Sequence, residues 1–205
     1  MTPRPAIQPA PAVTDDRGVS ALVVRLRANP CCAAVVADEH LDRALDSASP
    51  IVFLLRGDGL ALRGPIDRIH AAGKLAAIHL DLVDGLVADA HGVAWLARCG
   101  ADAIISSHGR LMPVIRREGC LAIHRVLLSR RSHLDGAMKA AARAAPDVLE
   151  VLPGILLPSI TQLLPRLGIP VLAGGFIRSD ADVRAVMAAG AAGITTSQAD
   201  LWPSA

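Results

Sequence analysis

Between Ile169 and Ser197 the chain reads IPVLAGGFIRSDADVRAVMAAGAAGITTS, a strand, a helix and a second strand in one short stretch. Ile169 to Ala173 is apolar almost throughout rather than alternating, which marks a parallel strand buried on both faces. Gly174-Gly175 breaks the run, and Ser179 with Asp182 supplies a helix start. Ala181, Val183, Val186 and Met187 then recur with helical period. Gly190 closes the helix, where glycine takes the left-handed conformation most cheaply. A new apolar run starts near Ala192 and ends at Thr195-Thr196-Ser197.

The same unit repeats upstream. Val- and Ile-rich runs begin near Ala33, Ile51, Leu75, Asp102, Cys120 and Asp147. The spacing is roughly 18–27 residues, as expected for successive strand–helix units. Amphipathic stretches such as Leu41-x-x-Ala44-Leu45 lie between them, Asp89 offers another helix start, and Gly100, Gly119 and Gly168 offer helix ends. Eight such units predict a compact, single-domain (β/α)8 TIM barrel over residues 29–205. The competing open, doubly wound sheet lacks its usual marks: no G-x-G-x-x-G opens a helix and no P-loop occurs. Residues 1–28 differ. Pro3, Pro5, Pro9 and Pro11 predict an extended N-terminal arm, followed by a short helix over Ser20–Ala28 whose apolar residues are placed to plug the bottom of the barrel.

Composition bounds the function classes. The 205 residues are 52% hydrophobic but only 2% aromatic, with no Tyr, so the core is built from Val, Ile, Leu and Ala. No apolar run approaches the ~20 residues of a membrane span. The N-terminus has no continuous apolar segment of the kind a secretory signal needs. Cys31, Cys32, Cys99 and Cys120 form neither a C-x-x-C nor a disulfide framework and read as buried reduced thiols. The expectation is a cytoplasmic protein without a membrane association. Net charge is +2, but it is unevenly spread. Between Gly109 and Ala145, Arg110, Arg116, Arg117, Arg125, Arg130, Arg131, Lys139 and Arg143 are opposed only by Glu118 and Asp135, which suits an anionic partner on one flank.

In a TIM barrel, residues at the C-terminal ends of the strands carry function. Gly174 and Gly175 let a ligand approach the backbone without a Cβ clash. A helix beginning near Ser197 would present free N–H groups and a positive dipole end to an anion, with the hydroxyls of Thr196 and Ser197 beside it. These four residues are the expected phosphate site. His79, Asp81, Arg125 and Glu150 are the expected polar ligand contacts. His79 and Asp81, two apart, point the same way if the strand continues. They are too few for a zinc or hard-cation centre even with Glu150, so no metal is assigned. Arg125 has two readings: an ion pair with Glu150 and Asp81 across the mouth, or an anion clamp.

The strings Ile51–Asp58 (IVFLLRGD), Ile78–Leu86 (IHLDLVDGL), Gly100–Ser106 (GADAIIS), Val148–Gly154 (VLEVLPG), Ile169–Arg178 and Ile194–Ser197 with Leu201-Trp202 resemble the glycerol 3-phosphate responsive antiterminators, from about Asn29 to Trp202. The resemblance implies a TIM barrel that binds glycerol 3-phosphate and then the leader RNA of glycerol-use genes. A terminator is thereby suppressed. No catalysis and no cofactor are implied. Arg116, Arg117, Arg130 and Arg131 are then the RNA-binding candidates. With few aromatics, binding would rest on phosphate contacts and shape. Three departures from the family pattern stand out. Relatives carry a basic residue where this chain has Val36-Ala37, Lys in place of His108, and Asp-Ser in place of Arg130-Arg131. The alternative reading is an isomerase or lyase acting on a small phosphate ester, with His79, Asp81, Arg125 and Glu150 as acid–base and electrophilic groups.

Overall fold

The computed structural model describes residues 16–129, 134–162 and 168–204. Eight parallel strands close into a barrel: β1 (Cys31–Val35), β2 (Ile51–Leu54), β3 (Leu75–His79), β4 (Ala103–Ser106), β5 (Leu121–Leu127), β6 (Val148–Leu152), β7 (Val171–Gly174) and β8 (Gly193–Thr196). Neighbours in sequence are neighbours in the barrel, and β8 pairs with β1 through Cys31↔Ile194. Each strand begins within two residues of the position its apolar run predicts.

Side-chain alternation divides the barrel into two layers. Cys32, Ala34, Phe53, Ala77, Ile105, Ile123, Val148 and Leu172 fill the interior. Outward residues such as Ile78, Ile104, Ala122, Leu149, Ala173 and Ile194 pack against the helices. Those helices are α2 (Leu41–Asp46), α3 (Arg63–Ala71), α4 (Ala90–Cys99), α5 (Met112–Arg117), α6 (Leu134–Ala144) and α7 (Asp180–Ala188). The predicted caps form. Ser179 and Asp182 make a reciprocal capping box on α7, and Asp89 accepts from the backbone N–H groups of His91 and Gly92 on α4. Gly100, Gly119, Gly168 and Gly190 all have positive φ.

Helix α1 spans Asp16–Ala28, starting four residues before the stretch predicted for it. Leu22 and Leu26 insert among the interior residues and plug the N-terminal end of the barrel. A Cβ on Gly193 would lie 2.8 Å from the Pro30 carbonyl oxygen and 3.0 Å from Leu26, so glycine there lets α1 close onto β8. The Pro-rich residues 1–15 lie outside the described residues.

Two units depart from the simple alternation. After β6 comes a 3-10 segment, Gly154–Ser159, in which Pro158 has no N–H to extend a helix. After β8 a single 3-10 turn, Ala199–Leu201, is closed by Trp202, whose indole N–H donates to the Thr196 carbonyl. Across the mouth, Gly57–Asp58 pairs with Val83–Asp84. No helix among the described residues is long and apolar enough to cross a membrane.

Candidate functional site

The top interior layer is polar. Alternation points His79, Arg125, Glu150 and Thr195 inward at the C-terminal ends of β3, β5, β6 and β8, with Arg125 directly opposite Glu150 in register. Glu150 is wholly buried. A carboxylate there survives only if paired, and it is: Arg125 Nε donates to one oxygen at 2.6 Å and the Thr195 hydroxyl to the other at 2.7 Å. Gly174, opposite Thr195, is required by this arrangement. A Cβ there would fall 2.5 Å from Thr195 Oγ1 and 2.9 Å from Glu150 Oε1.

Above this layer lies a cleft of about 320 Å³. Arg125, Glu150 and Thr195 line its base, Leu55 and Leu152 its apolar sides, and Gly175, Phe176, Arg178 and Ser197 its lip. Gly175 has φ +78 and open space beside it: a Cβ on this residue would come no closer than 3.8 Å to its nearest neighbour, Leu152. Arg178 and Ser197 are exposed. Of the four expected phosphate residues, Gly175, Thr196 and Ser197 border the cleft, but not in the manner expected, and Gly174 is packed against Thr195 and Glu150 and does not line it. The turn after β8 is too short to carry a helix dipole. The Thr196 hydroxyl is also engaged locally, facing the Ile177 carbonyl and accepting from the Gln198 N–H.

Of the expected polar contacts, Arg125 and Glu150 meet and Asp81 goes elsewhere. The strand ends at His79, and a 3-10 turn (Leu80–Leu82) carries Asp81 across to β4. There it accepts from the Ser106 hydroxyl at 2.6 Å, the Ser107 N–H at 2.7 Å and the Ser107 hydroxyl. Burial pushes the Asp81 carboxyl up, but these donors outweigh it and hold the group below the ordinary carboxylate range. Alternation, which would align His79 with Asp81, stops applying where the strand stops. The pair Arg125–Asp81 does not form. His79 is buried with Nδ1 unpartnered; burial first, then the Arg125 cation, push its imidazole down to about 4, so the ring is neutral. Among the described residues no three His, Cys, Asp or Glu side chains gather where they could hold a metal ion.

The two basic candidates among the described residues lie away from the cleft. Arg116 and Arg117 end α5 at the N-terminal end of the strands, with Arg116 4.0 Å from Asp147 and Arg117 Nε donating to the Pro113 carbonyl. Arg130 and Arg131 lie outside the described residues; in sequence they follow the C-terminal, mouth end of β5. Val36 lines a separate hollow between the β1 and β2 loops, and neither it nor His108 lines the cleft.

Thr195, Phe176 and Arg178 escape the sequence reading. Thr195 had a findable signal, since it is two residues after Gly193 and shares the inward face of β8. Arg178 stands four residues beyond the strand end, where no periodicity applies.

A TIM barrel with a cleft over a layer of charged and polar side chains at its C-terminal mouth is the class defined by fold and geometry. Over residues 31–202 the chain matches the sequence model of the glycerol-3-phosphate responsive antiterminators, and it belongs to that family. It is 30% identical over 178 residues to the uncharacterised protein YgcP of Escherichia coli (strain K12), covering 86% of this chain and 93% of that one. It is similar to the crystal structure of the glycerol uptake operon antiterminator regulatory protein from Listeria monocytogenes strain 4b F2365, with a TM-score of 0.80 and 28% identity over 85% of this chain and 95% of that one. A glycerol uptake operon antiterminator-related protein from Thermotoga maritima MSB8 gives a TM-score of 0.76 and 25% identity over 84% of this chain and 96% of that one.

Proposed function

We propose that the chain binds glycerol 3-phosphate in the mouth cleft and, so loaded, binds the leader RNA of glycerol-metabolism genes as a transcription antiterminator in the cytoplasm. The observation that carries the ligand reading is the lip of the cleft: the open backbone at Gly175, the exposed Ser197 hydroxyl and the Arg178 guanidinium border one volume. Charge-assisted contacts of this kind contribute about 1.5–3 kcal/mol each. Arg125 serves both of its readings here. Its Nε neutralises Glu150, and an arginine has five N–H donors, so its terminal nitrogens remain to meet a ligand oxygen.

The enzyme reading has less support. Both Glu150 oxygens and the Asp81 carboxylate are already hydrogen-bonded, so neither is poised as a general base. A Schiff-base mechanism needs a mouth lysine. Lys74 instead reaches the Ser47 and Ser49 carbonyls near the start of β2, and Lys139 is exposed on α6.

Thermal unfolding tests the ligand. Glycerol 3-phosphate at 100 times its Kd adds about 2.7 kcal/mol to a protein that binds it only when folded, and glycerol should add nothing. Ser197→Asp places a carboxylate on the exposed lip and should erase the shift. Gly175→Val should erase it too, although at φ +78 it also strains the backbone. Equal stabilisation by both compounds defeats the reading.

A further inference from the structure

The lip of the cleft holds an unusual backbone conformation. Phe176 has φ +59, in the left-handed region that a bulky side chain rarely adopts. Strain of this kind persists where function requires it and a glycine would relieve it. The gain here is exposure, since the ring is 65% exposed. Aromatic surface is scarce in this chain, which has two Phe, two Trp and no Tyr. Phe53 is fully buried, Trp202 is buried under Thr196, and Trp95 is pinned by its N–H to the Gly59 carbonyl. Only Phe176 is presented to solvent by a strained backbone.

Its neighbour completes a surface. Ile177 is buried and anchors the segment, so Phe176 and Arg178 on either side both face out. The Arg178 guanidinium sits 5.6 Å from the centre of the Phe176 ring. A flat, exposed ring takes up an unpaired nucleobase by stacking, and a cation held over such a ring adds positive charge beside the strand. Both residues also border the ligand cleft.

We propose that Phe176 and Arg178 form a stacking platform for an unpaired base of single-stranded RNA, set on the lip of the ligand cleft so that the two partners bind side by side. This rests on the RNA-binding reading above and adds to it a single-strand preference and a place of contact.

Fluorescence anisotropy on the full chain, with saturating glycerol 3-phosphate and fixed salt, tests it with a labelled unstructured A-rich RNA and a blunt RNA duplex of equal length. Base–aromatic stacking predicts that Phe176→Gly weakens single-strand binding about 5- to 150-fold. It should leave duplex binding alone, and Phe176→Trp should retain single-strand affinity. Because glycine relieves the left-handed strain, Phe176→Gly should melt no lower than the parent, so the loss is not one of folding. If the parent binds single strands and Phe176→Gly binds them equally well, the platform is wrong and the RNA reading stands. If the parent binds no RNA at all, the RNA reading falls and the platform with it. Competition by free AMP at concentrations that leave the protein–ligand complex intact would mark a site for mononucleotides and overturn the proposal.

Discussion

Glu150 is the residue on which the mouth of the barrel turns. Its carboxylate is 1% exposed and Arg125 is 15% exposed, so solvent does little to screen the pair. Removing one partner of such a pair strands the other charge. Glu150→Ala should therefore cost about 3–5 kcal/mol in urea unfolding. Replacing both partners, as Glu150→Leu with Arg125→Met, should cost much less than the single change; a double variant as unstable as the single would show that the pair contributes more than mutual neutralisation. A second residue-scale prediction concerns pH. Unfolded His79 takes up a proton near 6.5, while the folded ring waits until about 4. The unfolded state thus binds more protons between those values, and stability is lost as pH falls through that window, by about 3 kcal/mol at most. His124, also lowered by burial, acts in the same direction. Asp81, held below the ordinary carboxylate range, adds its loss only below about pH 4. Unfolding curves at pH 7 and pH 5 should show His79→Asn with a smaller difference than the parent, and an equal difference would remove His79 from the account. Polar residues at strand ends announce themselves in the sequence, so Arg125 and Glu150 were legible as mouth residues, with their ion pair one of two readings. The fit of Gly174 against Thr195 and Glu150 was not, because β6, β7 and β8 meet only in the closed barrel.

Elements behave as their local sequences dictate, with exceptions that have local causes. Strands follow the apolar runs, and α4 and α7 start at the caps that Asp89 and Ser179 provide. The expected helix after β8 shrinks to one turn because Trp202 and Pro203 close the chain back onto β8 and the α2–β2 connection, where Ala48 N–H donates to the Pro203 carbonyl. Helix α1 does what its position suggested. Leu26 is almost wholly buried against the barrel interior. Leu26→Ala should therefore cost about 2–5 kcal/mol, measured by thermal or urea unfolding. Because α1 closes the end opposite the cleft, the added stability conferred by glycerol 3-phosphate should be unchanged. A variant that is destabilised and also loses the ligand effect would show that the two ends communicate.

At the scale of the whole molecule, the barrel separates the basic residues by end. Arg116 and Arg117 lie at the closed end, whereas Arg125 and Arg178 border the cleft. If ligand and RNA are coupled, the coupling free energy is typically about 1–3 kcal/mol, and RNA must raise ligand affinity by the same factor that ligand raises RNA affinity. Titrating each partner in the presence and absence of the other checks this equality. Neutralising Arg130 and Arg131, which follow β5 in sequence, should weaken RNA binding and flatten its salt dependence by about one unit per lost phosphate contact. Arg116→Ala with Arg117→Ala should leave the ligand-dependent part intact. RNA affinity that ignores the ligand would leave a phosphate-sensing barrel with a different partner.

The eight-unit rhythm, the helix caps and the polar strand ends are local patterns, and the sequence by itself determined them: apolar runs buried on both faces demand helices over a parallel sheet, and eight of them close. The tertiary structure decided among the meetings of polar ends that the sequence left open, joining Arg125 to Glu150 and not to Asp81. Asp81 turned to the end of β4 instead of the cleft because its strand ended two residues early, and Thr195 entered the cleft because β8 places that residue opposite Gly174. Phe176 and Arg178 reached the lip because a left-handed turn after Gly174 swung them there. Contacts of this kind depend on barrel closure, register and backbone sign, which no single segment of the chain encodes on its own.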